Sequence, residues 1–280
     1  MSGSPSAIRL GLPVRRVRGT VPAADMGRES LRMQGRRVLV TGGGSGIGLE
    51  TARLFVAEGA RVGLLDRDAT ALARATSDLG SGCSTVTCDV TEAAGVGPAV
   101  ARVAEALGGL DGVVNSAGVS LWRPFLETSF EEWRRIQAIN ADGPFLVCQA
   151  ALPLLREAGG GTIVNLASGA GMRPLPNLGA YSVSKAALVM LTRSLALDFA
   201  AENIRVNAVA PGPIHTPMIE RTLSRAPDRE AKMREFIARV GMRRLGRADE
   251  IARAILFLSS DESSFTTGTV IEADGGRVYL

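Results

Sequence analysis

Tyr181 and Lys185 stand four residues apart in the segment AYSVSKAALVMLTRSLAL. On a helix that spacing puts both side chains on one face. A phenol titrates at about 10, too high for a base at neutral pH. A neighbouring ammonium stabilises the phenolate and brings it into range. The pair is therefore suited to taking a proton from a hydroxyl or returning one to a carbonyl oxygen. Two Tyr and two Lys in 280 residues produce such a pair by chance about once in seventy sequences. The chain uses 30 Arg against those two Lys, so Lys at 185 reads as a requirement for an amine. A guanidinium holds its proton too firmly to relay one.

A second chemical signature lies near the amino end. Residues 41–48 read TGGGSGIG, directly after an apolar run and before an amphipathic stretch. Glycines at such a turn bring backbone N–H groups close to a pyrophosphate, and the helix start adds free donors and a positive dipole end. Gly42, Ser45, Gly46, Ile47 and Gly48 are the candidate contacts. The position between first strand and first helix of a βαβ unit makes this a dinucleotide-binding turn. Asp66 follows 18 residues after Gly48, at the end of the second apolar run. A carboxylate there accepts bonds from the adenosine ribose and repels a 2′-phosphate, which predicts NAD rather than NADP. Arg67 offers a guanidinium next door, and Asp66 has a competing role as a helix N-cap.

Short apolar runs at 37–41, 61–65, 84–88, 111–115, 162–167, 204–209 and 269–272 alternate with helical stretches at about 46–58, 68–79, 92–107, 142–158, 180–201 and 249–259. Strands alternating with helices of that length predict an α/β fold: one Rossmann-type, doubly wound parallel sheet of about seven strands with helices on both faces. The series is continuous, so a single domain over 34–280 is expected.

These features together resemble the short-chain dehydrogenase/reductase family. The resemblance runs from about residue 34 to the carboxyl end and rests on TGGGSGIG, Asp89 in CDV, NSAG at 115–118, Asn140, Ser168, YSVSK at 181–185, PG at 211–212 and DGG at 274–276. It implies that Tyr181 is the general acid/base and that Lys185 holds the nicotinamide ribose and lowers the phenol pKa. Ser168 would bond the substrate oxygen, and Asn140 would hold a water linking Lys185 to solvent. Asp89 and Val90 would contact adenine, with Asn115, Ala117 and Gly118 lining the adenosine side. Pro211, Gly212, Ile214 and Thr216 would flank the nicotinamide. Each has a competing structural role: Ser168 as a strand terminator, Asn140 as a cap or kink, Asp89 as an N-cap. Ser45 stands where members using NADP often carry a basic residue, in agreement with Asp66.

The segment 213–245 mixes charge with apolar residues and is expected to form a lid over the substrate. Trp122, Phe125, Met172, Leu223 and Phe236 are candidates for an apolar pocket. His215, the only histidine, is expected to make a local loop contact. It excludes a multi-His zinc site, and no metal is expected. No GxSxG elbow is present, which argues against a hydrolase. Residues 1–33 hold six Arg against Asp25 and Glu29, leaving the rest of the chain near neutrality. They are expected to be a disordered basic tail, and a neutral body does not suit a nucleic-acid-binding face. No run of about 18 apolar residues is seen, so no membrane span is expected. Cys83, Cys88 and Cys148 are unevenly spaced, as suits reduced thiols in the cytoplasm. Helices 142–158 and 180–201 carry apolar residues on more than one face, which predicts a homo-oligomer, and the resemblance implies a tetramer. The expected partner is a small alcohol or ketone. Two rival readings remain: a non-catalytic NAD-binding sensor, and an NADPH-dependent reductase of acyl thioesters.

Overall fold

The structure is a computed structural model and describes residues 31–277. Alternation along the first strand sets the layers. In β1 (Arg37–Thr41), Val38 and Val40 join one core and Leu39 the other, so the strand is covered on both faces. Six further strands complete one parallel sheet with it: β2 (Arg61–Asp66), β3 (Cys83–Thr87), β4 (Gly112–Asn115), β5 (Gly161–Leu166), β6 (Ile204–Pro211) and β9 (Val270–Ala273). Their order is β3-β2-β1-β4-β5-β6-β9. The short strands β7 (Ile214–His215) and β8 (Gly246–Arg247) form a separate parallel pair.

One face of the sheet is covered by α1 (Gly46–Ala57), α2 (Ala69–Leu79) and α10 (Ala248–Ser259), through residues such as Phe55, Leu72 and Ile255. The other is covered by α3 (Ala93–Leu107), α5 (Gly143–Glu157) and α7 (Gly179–Phe199), through Val103, Leu155 and Ala196. The chain winds outward from β1 to β3, then crosses back to β4 on the other side of β1. That reversal opens a crevice at the carboxyl ends of β1 and β4, where ligands bind in sheets of this kind.

Four helices were not expected from periodicity: α4 (Phe130–Gln137), α6 (Gly169–Met172), α8 (Pro217–Ser224) and α9 (Arg229–Ala238). Ser129 and Glu132 form a reciprocal capping box that starts α4. It continues into α5 through a π turn at Ala138–Asp142, where the N–H of Gly143 bonds the carbonyl of Ala138, five residues back. Pro144 has no N–H for the carbonyl of Asn140 four residues earlier, which accounts for the irregular turn. Taken as one helix, 130–157 contains an 18-residue window of mean hydropathy 1.2, long and apolar enough by composition to cross a membrane. Counting apolar runs missed this. Half of that window is buried within the fold, as in a core helix.

Packing against the domain also extends before the expected boundary at 34. Met33 is 1% exposed within the α1/α10 core. Arg32 donates to the Glu58 carboxylate at 3.0 Å. The disordered tail expected over 1–33 thus fails at 31–33, and its remaining part, 1–30, lies outside the described residues. Replacing Met33 by Ala is expected to cost about 2–4 kcal/mol in urea unfolding. A cost near zero would return residue 33 to the tail.

Candidate active site

The crevice floor is built by close backbone approach. The Thr41 hydroxyl oxygen accepts the N–H groups of Ser116 (3.1 Å) and Ala117 (3.2 Å), tying the end of β1 to the loop after β4. Gly42 has φ +65°, and a Cβ there would lie 2.8 Å from the Cα of Ala117. A Cβ on Gly48 would lie 2.4 Å from the carbonyl oxygen of Gly42. Side chains at either place would fill the turn, so the glycines leave a backbone cradle at the start of α1. Thr216 and Pro217 close over it, 3.7 Å from where a Cβ on Gly46 would be. Ile47 packs partly into the α1-side core. Ser45 is the extended N-cap residue of α1 and makes no side-chain cap bond.

Asp66 is held rather than loose. Its Oδ2 accepts the N–H of Gly44 at 3.0 Å and its Oδ1 that of Asp68 at 3.1 Å. The N-cap of α2 is Asp68, so the competing role falls to the neighbour. Arg67 lies 3.9 Å from the Asp89 carboxylate. Asp89 also accepts from the N–H and hydroxyl of Thr91 at 3.0 and 2.8 Å, a turn rather than a helix cap. Val90 is buried, against Gly143 at the head of α5.

Asn115 departs from expectation. Its side chain points into the sheet, donating to Asn165 Oδ1 at 2.8 Å and to Cys148 Sγ at 3.3 Å, and does not line the crevice. Asn165 donates to Thr192 Oγ1 at 2.9 Å, and Thr192 to the Leu188 carbonyl at 2.8 Å. This buried ladder joins β4, β5 and α7. Matching Asn residues at the ends of VVN and IVN were its sequence signal. Gly118 sits where a Cβ would lie 3.3 Å from Asn140 Oδ1 and 3.4 Å from Lys185 Nζ.

Tyr181 lies in the first turn of α7. Ser168, two residues past β5, is the N-cap of α6, and its hydroxyl oxygen accepts the Ala170 N–H at 3.1 Å. Gly171 lets α6 close on α7: a Cβ there would lie 2.6 Å from the Lys185 carbonyl carbon. One turn beyond Tyr181, Lys185 is 4% exposed and donates to the Leu166 carbonyl at 2.7 Å. Its Nζ stands 5.9 Å from the Tyr181 ring centroid. Asn140 is fully buried, donating to the Val119 carbonyl (2.9 Å) and to Ser184 Oγ (3.0 Å), and accepting the Val119 N–H at 3.0 Å. Both its amide protons are used, so a water would meet it only as a donor, at its main-chain carbonyl or at the second lone pair of Oδ1.

The electrostatics differ from the expected lowering of the phenol by Lys185. Burial is the largest influence on Tyr181 and pushes its pKa up, opposed by the Ser168 hydroxyl and the charge of Arg277. Burial also pulls the Lys185 ammonium down to about 8. Pro211 ends β6, and Gly212 packs against the backbone of Asp274, with no room for a Cβ. Ile214 is buried, and Thr216 Oγ1 donates to its carbonyl at 3.2 Å. His215 contacts Glu220 at 3.2 Å on the surface, a local loop contact as expected.

A lysine that titrates lower when folded makes the unfolded chain bind more protons between its two pKa values. Stability therefore rises with pH from about 8 towards the unfolded lysine value. Wild type should gain about 2 kcal/mol from pH 8 to pH 10 that Lys185→Met does not gain, read by urea unfolding. Parallel curves for the two proteins would refute the burial of a titrating ammonium.

Comparison with known proteins agrees with this geometry. A family model described as enoyl-(acyl carrier protein) reductase matches residues 42–277. A galactitol 2-dehydrogenase (L-tagatose-forming) from Cereibacter sphaeroides is 41% identical over 253 residues, 89% of this chain and 97% of its own. A 2-(S)-hydroxypropyl-CoM dehydrogenase from Xanthobacter autotrophicus is 37% identical over 255 residues, 90% of this chain and all of its own. A crystal structure of levodione reductase superposes with a TM-score of 0.84 at 34% identity, covering 87% of this chain and 98% of that one. The chain belongs to the short-chain dehydrogenase/reductase family, oxidoreductases that use nicotinamide cofactors.

Proposed function

We propose that this protein is an NAD-dependent dehydrogenase that interconverts a secondary alcohol and its ketone, with Tyr181 as general acid/base. The observation that carries this reading is the meeting of the Tyr181 ring and the buried Lys185 ammonium, 5.9 Å apart, beside Gly118 of the loop that backs the glycine cradle. When bound, the nicotinamide supplies the acceptor or donor of a hydride. The cradle of Gly42–Gly48 fits a pyrophosphate, and the anchored Asp66 carboxylate fits a ribose diol while repelling a 2′-phosphate.

In the oxidising direction Ser168 orients the substrate hydroxyl and Tyr181 takes its proton as the carbinol carbon gives up hydride. Lys185, while charged, would stabilise the phenolate and would hold the nicotinamide ribose. The Asn140 carbonyl takes the water through which the proton leaves. Helices α8 and α9 act as the lid. Trp122 meets Phe236 of α9 edge to face at 5.7 Å, with Lys232 Nζ 4.3 Å from the Trp122 ring centroid. That aromatic wall favours a substrate with apolar surface. Phe145, Val183, Met190 and Leu197 are exposed on α5 and α7, which supports a homo-oligomer built on those helices, in keeping with a tetramer. All three cysteines are free, as suits the cytoplasm.

NADH formation at about pH 9 is the first test, across secondary and cyclic alcohols with NAD and NADP in parallel. Tyr181→Phe should lower kcat by about 10²- to 10⁴-fold with NAD affinity nearly unchanged. Comparable activity in that variant would overturn the mechanism. Asp66→Ala should relax discrimination against NADP, and an unchanged ratio would place the ribose contact elsewhere.

A further inference from the structure

Ser184 precedes Lys185 in α7 and is fully buried. A hydroxyl has one proton to give and two lone pairs to receive with. Ser184 Oγ gives its proton to the carbonyl of Tyr181, one turn back, at 2.7 Å. A serine inside a helix commonly bonds its own backbone in this way. The oxygen then has only acceptor capacity left, and it takes a proton from Asn140 Nδ2 at 3.0 Å. The direction of the Ser184 hydroxyl thus decides which way the Asn140 amide is turned. With Nδ2 directed at Ser184, Oδ1 is left for the loop after β4.

That loop is gripped at one residue. Asn140 Oδ1 accepts the Val119 N–H at 3.0 Å, and Nδ2 donates to the Val119 carbonyl at 2.9 Å. The residue before, Gly118, lies between this grip and the lysine. A Cβ there would be 3.3 Å from Asn140 Oδ1 and 3.4 Å from Lys185 Nζ. The ammonium itself donates to the Leu166 carbonyl of β5 at 2.7 Å. Two neighbours in one helix therefore close a ring of contacts. Ser184 reaches the loop through Asn140, and Lys185 stands beside the same loop.

We propose that Ser184 is a positioning residue for Lys185: its hydroxyl, anchored on the Tyr181 carbonyl, orients the Asn140 amide and so holds the Gly118–Val119 segment against the lysine Nζ. The proposal rests on Lys185 serving Tyr181 in proton transfer. The groups that face Nζ are the Leu166 carbonyl from β5, Gly118 from the loop, and the titratable Tyr181 from α7, whose ring centroid is 5.9 Å away. Burial draws the ammonium down to about 8. A lysine titrating there can both hold and release a proton in the range where an alcohol is oxidised. That property depends on keeping water from Nζ, and the backbone of 118–119 is part of what keeps it out. Replacing Ser184 by Ala strands an Asn140 proton without its acceptor, and the amide is then free to shift towards solvent with the loop it holds.

The test reads Lys185 directly. The chain has two lysines, Lys185 and Lys232, so a Lys232→Arg background leaves one to titrate. Isotopic labelling of its ε carbon lets NMR follow the Lys185 midpoint without turnover. Ser184→Ala puts a strong helix former in a helix and is expected to fold. It should raise the midpoint by about one pH unit, towards the ordinary lysine value. Ser184→Thr keeps a hydroxyl on the same helical bond and should restore most of the difference. Asn140→Ala should also raise the midpoint, and combining it with Ser184→Ala should add nothing, because both act through one amide. In turnover, Ser184→Ala should lower kcat by about tenfold with the KM for the alcohol little changed. An unmoved midpoint in Ser184→Ala overturns the proposal, as does an additive double variant. A raised midpoint with no turnover on any alcohol keeps the positioning role and sinks the dehydrogenase. Turnover abolished by Tyr181→Phe, with a midpoint indifferent to Ser184, does the reverse.

Discussion

The site depends on one hydroxyl. Thr41, at the end of the first strand, holds two N–H groups of the loop after β4 with a single oxygen, 1% exposed to solvent. Strands β1 and β4 are neighbours in the sheet but 70 residues apart in the chain, and their ends could diverge in several ways. The shared acceptor fixes how they diverge, and Gly42 lets them do so at backbone contact. Gly118 is thereby placed beside both Asn140 and Lys185. The glycine turn and the Asn140–Lys185 pair are thus referenced to the same few atoms. Buried backbone donors left without that oxygen would cost about 1–3 kcal/mol each.

The second anchor is the Asn115–Asn165–Thr192 ladder, which nails α7 to the middle of the sheet beneath the segment carrying Tyr181 and Lys185. Asn115 Oδ1 stays buried without a partner among the described residues. A buried polar chain of this kind contributes little net stability but specifies one arrangement, since any slip leaves amides unpaired. Site precision therefore comes from polar groups inside the sheet, while the apolar layers on either side supply the bulk of the folding energy.

Much of this was legible in the residues. The alternation of apolar runs and helices placed all seven main strands to within a residue or two, because parallel strands buried on both faces read as unbroken apolar stretches. TGGGSGIG and YSVSK were legible as a strand-to-helix turn and as one helical face, because their spacing is tied to those geometries. Asn115 was misplaced because a motif names a residue without saying which way its side chain points. The early packing of Met33 escaped because one apolar residue has no period. The charged segment 213–245 read as a lid of helical character, but the bounds of α8 and α9 were not legible, because each has a single buried residue to mark its inner face. The rise of the Tyr181 pKa was illegible too, since desolvation depends on what surrounds a group in space.

The π turn at Ala138–Asp142 shows how an irregularity can divide labour within one element. An extra residue in a turn advances the helical phase by about 100°. The apolar stripe of α4 and that of α5 therefore point in different directions although the helix is continuous. α4 packs against α7, and α5 packs against α3 and the sheet. A uniform helix over 130–157 would have to present one stripe to both neighbours. The phase slip lets each half meet its own neighbour, so one continuous element serves two packing surfaces that a single stripe could not.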